Sequence, residues 1–492
     1  MFTAWPLDAP ALNPRILPFH RVGANPPRPL VPVDSQKITA SKSSSLSKQI
    51  FMSSGAPNQT NPNSSPDGSP DPPEASGTSE RLEAVEPVVL RTKPKRHFPF
   101  LSRHPWVHAH ALHPSDLPVS SGCPVELHDH DGNWIAHGLV NPSSRLRVRL
   151  YSFDQRETVG QELLARRVDS AVQRRRLSGP ADPQGGERLI FSESDGLSGL
   201  IVDRYADCLS VQLTAAALLP WGEFLVQQTL RAAEAHGTPC SRVVARVDAT
   251  TAGYEGINET DIALLQSWQQ GLEELPEDGL VWYRHNDLEM AVDLQHGQKT
   301  GGFLDQRENH AAAARYMPGR RVLDVCTYTG GFALAAARAG AEQVIGIDSS
   351  ERALQQAARH AERNGLPQFS THQADCFDDL KARHVRGERF DAIILDPPRF
   401  AGSRHQVDAA LRAYGRLNTS AVELLHPGGI LVTCSCSGRV SRADFLNMLA
   451  DVGRRCRRDL VLLESRGPSS DHPVAVSCPE SNYLKCMILQ AP

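Results

Sequence analysis

Two cysteines near the end of the chain could act as nucleophiles. Cys434 and Cys436 follow a proline-glycine-glycine turn at residues 427–429 and a short apolar run that predicts a buried strand. The thiols then fall at the carboxyl end of that strand, where open α/β sheets hold their active sites. This placement predicts covalent catalysis, whereas inert packing is the other interpretation for a cysteine in a strand.

Two earlier apolar runs also end in residues that could do chemistry. Residues 393–395 lead into Asp396-Pro-Pro-Arg-Phe400, and residues 322–325 lead into a glycine-rich turn. The two prolines after Asp396 form a rigid turn that fixes where its side chain points. Three such strand ends predict an enzyme with a nucleotide cofactor and a cysteine nucleophile.

The glycine-rich turn favours S-adenosylmethionine (SAM) over NAD. The stretch Asp324-Val-Cys-Thr-Tyr-Thr-Gly-Gly331 opens a helix without the third glycine of a pyrophosphate fingerprint, and SAM has no phosphates. Asp348 lies seventeen residues beyond Gly331, close to the spacing needed to reach a ribose. Asp375 ends the next predicted strand and could reach the adenine amine or cap a helix. The predicted cofactor-binding residues are Asp324, Thr327, Gly330, Gly331, Asp348, Asp375, Asp396 and Gln306.

Composition limits the class of protein. A chain of 492 residues predicts two or three domains, and a hydrophobic share of 40% with a charged share of 22% is ordinary for a soluble protein. No run of eighteen apolar residues predicts a membrane span. The ten cysteines have irregular spacing, which indicates neither a metal site nor a disulfide framework and favours a reducing cytoplasm.

Changes in pattern along the chain predict four parts. Residues 1–87 are predicted to be a disordered tail, because residues 58–80 contain almost no large apolar side chains. Residues 1–50 loosely resemble an organelle transit peptide, and the simpler alternatives are a non-conserved tail or a true start at Met52. Residues 88–160 predict a small β-barrel, 187–280 a middle β/α domain, and 281–492 a parallel sheet with helices on both faces.

The predicted barrel is the basic part of an acidic chain. The net charge of −4 argues against nonspecific nucleic-acid binding, yet residues 88–180 hold 14 Lys and Arg against 8 Asp and Glu. Arg145, Arg147 and Arg149 alternate along one predicted strand and should share a face. With Arg103 and Trp106 nearby, that face suits phosphates and unstacked bases. Alternatively, Trp106 is a core residue and the arginines are an ordinary solvated face.

Several longer motifs, in order, resemble a known family. They are Arg103-His-Pro-Trp106, Glu193-Ser-Asp-Gly-Leu-Ser-Gly199, the stretch from His296 to Arg307, Asp396-Pro-Pro-Arg-Phe400, Ser435-Cys-Ser-Gly438, Asp471-His-Pro473 and Tyr483-Leu-Lys485. Over residues 88–488 the chain resembles the PUA-domain-containing, SAM-dependent cytosine-5 methyltransferases of 23S ribosomal RNA (rRNA). The resemblance implies a class I methyltransferase fold (Rossmann-like) behind a PUA-like barrel, SAM as methyl donor, and a cytosine of large-subunit rRNA as acceptor.

The resemblance also distributes roles among the candidate residues. It makes Cys436 the nucleophile, although Thr433-Cys434 resembles a motif of a broader RNA cytosine-5 methyltransferase group. Asp396 is the second predicted catalytic residue, because it could hydrogen-bond the polar edge of the cytosine. It is also a candidate for the general base that removes the carbon-5 proton, a role that is left unassigned because recognition could use this carboxylate fully. A cytosine turned out of its helix would stack on Phe400 or Tyr328. Lys299 and Gln306 are interpreted as residues that shape the cofactor or substrate site. The predicted RNA-binding residues are Arg103, Trp106, Arg145, Arg147, Arg399 and Phe400.

Three other functions stay open at this point. Methylation of a base nitrogen, at guanine N7 or an exocyclic amine, would not need Cys436; amino methyltransferases also typically place an aromatic residue directly after Pro-Pro, where this chain has Arg399. A uracil-5 methyltransferase would use the same cysteine chemistry. A non-catalytic RNA-binding protein could keep SAM as a structural ligand. RNA is the predicted partner, no membrane partner is predicted, and a homodimer is compatible with these features without being fixed by them.

Overall fold

The computed structural model describes residues 86–113, 120–272, 278–294, 301–401 and 404–492. Residues 1–85 of the predicted tail and residues 295–300, which include Lys299, lie outside the described residues. Within the described ranges, no helix is long and apolar enough to cross a membrane. All ten cysteines lie in the described ranges, and none of them forms a disulfide.

The first sheet corresponds to the predicted barrel. Its elements are β1 (Val88–Arg91), α1 (Phe98–Leu101), β2 (Trp106–His108), β3 (Pro124–His128), β4 (Trp134–Val140) and β5 (Leu146–Ser152). The strand order is β1-β3-β4-β5-β2, with β1 parallel to β3 and the other pairs antiparallel. The predicted Asp131-Gly132 turn joins β3 to β4, and Gly132 has a φ of 92°, which only glycine adopts readily.

A second sheet follows the helix α2 (Gln161–Arg175). Its elements are β6 (Gly186–Phe191), β7 (Leu200–Tyr205), β8 (Cys208–Leu213), α3 (Gly222–Ala235), β9 (Arg242–Arg246), α4 (Ala249–Glu255) and α5 (Glu259–Ser267). The strands pair in sequence order, and β8 and β9 are the parallel pair. The hairpin β10 (Leu280–His285) and β11 (Leu288–Asp293) comes next, and its apolar side chains join the core of the last sheet.

The last sheet has seven strands with helices between them. The elements are α6 (Arg307–Ala314), β12 (Arg321–Val325), α7 (Gly331–Arg338), β13 (Gln343–Asp348), α8 (Glu351–Arg363), β14 (Phe369–Gln373), α9 (Cys376–Val385), β15 (Phe390–Leu395), α10 (Val407–Leu424), β16 (Leu425–Ser435), α11 (Arg442–Cys456), β17 (Val461–Arg466) and β18 (Lys485–Ala491). The order is β14-β13-β12-β15-β16-β18-β17, and β18 alone runs in the direction opposite to the other six strands.

This arrangement explains why strand ends carry the site. The central strands are buried on both faces, as in the fully apolar run of residues 392–395, so their side chains make core. Polar groups therefore gather where β12, β13, β15 and β16 end, on one edge of the sheet. Because β18 is antiparallel to β16, its first residue Lys485 pairs with Ser435 and lies at that same edge.

Candidate active site

A cavity of about 470 Å³ opens at the carboxyl edge of the seven-stranded sheet. It brings together most of the residues that the sequence singles out. The predicted site residues that line it are Gln306, Asp324, Thr327, Gly331, Asp348, Asp375, Asp396, Phe400 and Cys436. Gly330 does not line the cavity but shapes its wall, because it caps α7 with a φ of 92°.

The wall after β12 is a tight turn. Cys326, Tyr328 and Gly330 all have positive φ, at 63°, 51° and 92°. Gly331 then lies against the ring of His310, and a Cβ at this position would be only 2.3 Å from its Cε1 atom. The glycine is therefore required by close packing at the cavity floor.

Asp324 is a buried acid with one unsatisfied oxygen. Its Oδ2 accepts hydrogen bonds from the Thr327 hydroxyl at 2.6 Å and the Ala333 amide at 3.0 Å. Its Oδ1 is buried and has no partner among the described residues. Burial raises the pKa of Asp324 to about 7, despite the opposing bond from Thr327. A cationic ligand group in the cavity would satisfy Oδ1 and keep the acid ionised.

The other two acids of the predicted cofactor set differ from each other. Asp348 ends β13, and its two oxygens accept the amides of Tyr328 and Ser350, each at 2.9 Å. This carboxylate ties the turn after β12 to the cavity rim. Asp375 is exposed, and one of its oxygens caps α9 by accepting the Phe377 amide at 2.9 Å. The structure shows the helix-cap alternative for Asp375, and the same residue also lines the cavity.

The two cysteines of the Cys-Ser-Cys segment have different surroundings. Cys434 is fully buried inside β16, opposite Cys486 of β18, and burial raises its pKa well above the usual thiol range. Cys436 is the first residue after the strand, is partly exposed and lines the cavity. Of these two thiols, only Cys436 faces the space in which a substrate could react.

Asp396 is oriented by a residue from a distant part of the chain. Its Oδ2 accepts a hydrogen bond of 3.0 Å from the side-chain amide of Gln306. The oxygen of the same Gln306 amide accepts from Asn309 at 2.7 Å, which determines which end of the amide points at Asp396. This chain of bonds supports the interpretation of Gln306 as a site-shaping residue.

The loop that follows Cys436 is held by a buried lysine. The ammonium group of Lys485 donates to the carbonyl oxygens of Ser437, Val440 and Tyr483 at 2.7–2.8 Å. Burial lowers the pKa of Lys485 to about 8, while the nearby Cys436 opposes part of that shift. A buried cation next to a thiol favours its thiolate form.

Sequence reasoning missed several residues that line or support the cavity. Asp305 lines it, and its Oδ2 accepts the hydroxyl of Tyr483 at 2.5 Å. The sequence held a signal for this pair, since Asp305 immediately precedes Gln306 and Tyr483 opens the Tyr483-Leu-Lys485 motif. His285 and His310 also line the cavity, 2.9 Å apart between ring nitrogens, and no local pattern pairs them.

The predicted RNA-binding residues of the first sheet lie elsewhere and divide into two groups. Arg103 and Arg145 are exposed and Arg147 is half-buried. Trp106 is half-buried and donates its indole N–H to Glu193 at 2.8 Å. The expectation that Arg149 shares an open basic face is wrong. It is buried, and it donates to Ser198 and the carbonyl of Thr214 in the second sheet.

The residues predicted to contact a base also lie in different places from one another. Phe400 lines the cavity and packs on Tyr414, with ring centroids 4.7 Å apart. Tyr328 packs on Phe303 and lies beside Asp348, on the β12–β13 side of the cavity. Arg399 is exposed and donates to the carbonyl of Ala401 at 2.8 Å, and it is not among the residues that line the cavity.

Comparisons with known proteins agree with this architecture. Residues 272–464 match the family of S-adenosylmethionine-dependent methyltransferases, and residues 90–153 match the PUA-like domain. Ribosomal RNA large subunit methyltransferase I of Aeromonas hydrophila is 38% identical over 398 residues, covering 80% of this chain and 96% of that protein. The protein of the same name from Shewanella denitrificans is 37% identical over 408 residues, covering 82% and 98%.

Solved structures show the same fold. A Streptococcus mutans structure assigned to the SAM-dependent methyltransferases aligns with 82% of this chain and 100% of its own, with a TM-score of 0.67 and 17% identity. A methyltransferase structure complexed with SAH aligns over the same shares, with a TM-score of 0.68 and 18% identity.

The fold and the cavity define a SAM-dependent methyltransferase with an N-terminal PUA-like domain and a C-terminal Rossmann-like domain. The predicted fold class and cofactor are thereby confirmed. The chain belongs to the ribosomal RNA large subunit methyltransferase I family. The described residues fit SAM, because the unpaired Oδ1 of Asp324 offers its cationic end an acceptor inside the cavity.

Proposed function

We propose that this protein methylates carbon 5 of a cytosine in large-subunit (23S) rRNA, with Cys436 as a covalent nucleophile. The observation that carries the proposal is that Cys436, unlike Cys434, lines the same cavity as Asp396. Bound SAM supplies the methyl group. In this proposal Asp324, Thr327, Gly330, Gly331, Asp348 and Asp375 form the cofactor side of the cavity, together with Gln306 and Asp396.

The thiol answers a specific chemical difficulty. Carbon 5 of a pyrimidine is a poor nucleophile, and a thiolate that adds to carbon 6 pushes electron density onto carbon 5. Cys436 stands at the strand end where such an attack can occur, and the cation of Lys485 behind its loop favours the thiolate. Methylation of a ring nitrogen or an exocyclic amine needs no thiol, so this arrangement favours carbon-5 chemistry.

Asp396 favours cytosine over uracil. A carboxylate only accepts hydrogen bonds, and the amino group at carbon 4 of cytosine donates them, whereas uracil presents a carbonyl oxygen at that position. The hydrogen bond that Gln306 donates to Oδ2 of Asp396 holds this carboxylate in one orientation. The Pro397-Pro398 turn that follows limits its backbone further.

The first sheet supplies a surface for RNA. Lys95, Arg96 and Arg103 are exposed around α1, where Phe98 is 59% exposed. Cations beside an open aromatic ring suit phosphates and unpaired bases, and a local positive field can bind RNA even on an acidic chain. The matched relatives are named for large-subunit rRNA, which supports rRNA as the substrate.

The proposed division of labour follows the predicted domains. Residues 88–160 grip RNA, residues 187–280 help to shape the groove, and residues 281–492 transfer the methyl group. A reducing cytoplasm suits this function, since the proposed nucleophile Cys436 forms no disulfide and must stay reduced to react.

Nucleoside analysis of methylated RNA tests this function. Unmethylated large-subunit rRNA is incubated with the full chain and isotope-labelled SAM, digested, and analysed by liquid chromatography and mass spectrometry. The proposal expects labelled 5-methylcytidine, and Cys436→Ala should abolish it. Labelled 7-methylguanosine, an N-methylated amine or 5-methyluridine would replace the proposal by the corresponding alternative. Absence of label on rRNA, despite SAM binding, would favour a non-catalytic role.

A further inference from the structure

Carbon-5 methylation leaves one chemical requirement that Cys436 cannot meet. Once carbon 5 has received the methyl group, it still carries its original hydrogen, and carbon 6 is still bonded to sulfur. A base must take that hydrogen as a proton before the carbon–sulfur bond can break. If the proposed function holds, a residue of this chain must act as that base.

The sheet order separates the carboxylates of the cavity into two groups. Asp324 lies in β12, Asp348 ends β13 and Asp375 follows β14, on the half of the sheet away from the nucleophile. Asp396 follows β15, directly beside the strand that carries Cys436. The histidine pair lies with the first group, because His310 packs against Gly331, the first residue of the helix that follows β12.

Asp305 is the remaining carboxylate on the described cavity wall, and contacts place it on the nucleophile's side. Its Oδ2 accepts the hydroxyl of Tyr483 at 2.5 Å. Tyr483 in turn packs against the loop of the nucleophile, since a Cβ added to Gly438 would lie 3.5 Å from its Cβ. The strand register agrees, because Lys485 pairs with Ser435, one residue before Cys436.

The two carboxylates near the thiol have different partners. Asp396 is held by the amide of Gln306 and suits recognition of the cytosine amine. Asp305 comes from the segment before α6 and is held by Tyr483, so it approaches the cavity from another element. It is 94% buried and yet lines the cavity, so a substrate in the cavity can reach this carboxylate whereas the bulk solvent largely cannot.

We infer that Asp305 is the base that removes the carbon-5 proton. Its carboxylate takes the proton, and the electron pair of the broken carbon–hydrogen bond forms the carbon 5–carbon 6 double bond. The carbon 6–sulfur bond breaks at the same time, and its electron pair returns to Cys436 as the thiolate. The neutral acid then loses its proton to water, and no oxidant or further reactant is needed. Tyr483 is a positioning residue that holds Asp305.

Two readouts on Asp305→Asn test this role. The first is release of tritium from rRNA fragments labelled at carbon 5 of cytosine, and the second is a covalent protein–RNA band on a denaturing gel. The asparagine variant should release tritium about 100-fold more slowly or worse. It should also accumulate a covalent band on ordinary cytosine RNA, which the wild type does not. Asp396→Asn is the comparison variant and should lose the band instead.

RNA that carries 5-fluorocytosine controls for folding and for the proposed function. Fluorine cannot leave as a proton would, so wild type and Asp305→Asn should both form the band on this RNA. Release of tritium by Asp305→Asn at the wild-type rate would overturn the inference. Loss of the covalent band of this variant on both RNAs would overturn it too. No band with wild type on the fluorinated RNA would instead contradict the proposed function itself.

Tyr483→Phe separates positioning from a general structural role. Removing the hydroxyl that holds Asp305 should slow tritium release more than it slows band formation on fluorinated RNA. Equal slowing of both steps would contradict the positioning role.

Discussion

The side-chain amide of Gln306 donates a hydrogen bond of 3.0 Å to Oδ2 of Asp396, across ninety positions of the chain. This contact joins the segment before α6 to the end of β15. It therefore helps to orient the Asp396 carboxylate through a residue outside the strand that carries it.

Gln306→Met should lower kcat/KM for methyl transfer by about 10- to 100-fold, the effect of losing a hydrogen bond to a charged group. Gln306→Glu should lower it further, since a second carboxylate would face Asp396. Methyl transfer to rRNA under subsaturating conditions measures both. Gln355→Met, a change at an exposed glutamine that bonds Glu351, is the matched control. Unchanged kcat/KM in both Gln306 variants would show that the contact is dispensable.

Affinity for SAM should depend on pH through Asp324. Burial raises the pKa of this acid to about 7, and a cationic ligand group binds its ionised form. Affinity should therefore level off above pH 7 and fall by about tenfold per pH unit well below it. Calorimetric titration with SAM in two buffers should also detect proton release at pH 6.5. Asp324→Asn should bind weakly with a flat pH profile, and a flat wild-type profile would contradict this account.

Gly331→Ala should disturb the cavity floor. The new methyl group would lie 2.3 Å from Cε1 of His310, so the ring or the turn must move, at a cost of about 1–3 kcal/mol. The midpoint temperature of thermal unfolding and the affinity for SAM should both be lower than in wild type. Gly253→Ala in α4 is the control: no atom lies within 4 Å of its added Cβ, so it should be neutral or stabilise by up to about 1 kcal/mol.

The buried pair His285 and His310 should make the fold sensitive to acid. Burial lowers both pKa values, that of His310 to about 3. Between pH 6.5 and 3 the unfolded chain binds a proton that folded His310 does not, so stability falls as the pH falls. At pH 5 the cost from His310 alone is about 2 kcal/mol. Between pH 7 and pH 5, the free energy of unfolding measured with a chemical denaturant should fall less for His310→Gln than for wild type. Exposed His426→Gln should behave as wild type does.

The sequence allowed the parallel sheet and its strand ends to be predicted because buried strands are continuous apolar runs. The predicted apolar strands at 321–325 and 390–395 match β12 and β15. The predicted strand at 369–373 matches β14, although only its first residue is apolar and buried. Asp396 and Cys436 were found for the same reason, since each directly follows such a run.

Contacts between distant segments were not predictable in this way. Alternation correctly placed Arg149 in a strand, but whether its face meets solvent or the second sheet depends on packing that no local pattern encodes. Likewise, Asp305 meets Tyr483 across 178 positions, and only the antiparallel return of β18 brings them together.

The central claim is that Cys436 attacks a cytosine, and trapping on 5-fluorocytosine rRNA tests it most directly. Wild type, Cys434→Ala and Cys436→Ala are each incubated with this RNA and SAM and resolved on a denaturing gel. The account predicts a covalent band with wild type and Cys434→Ala and none with Cys436→Ala. A band that survives in Cys436→Ala and disappears in Cys434→Ala would contradict it, as would methyl transfer to ordinary RNA without any band on the fluorinated substrate.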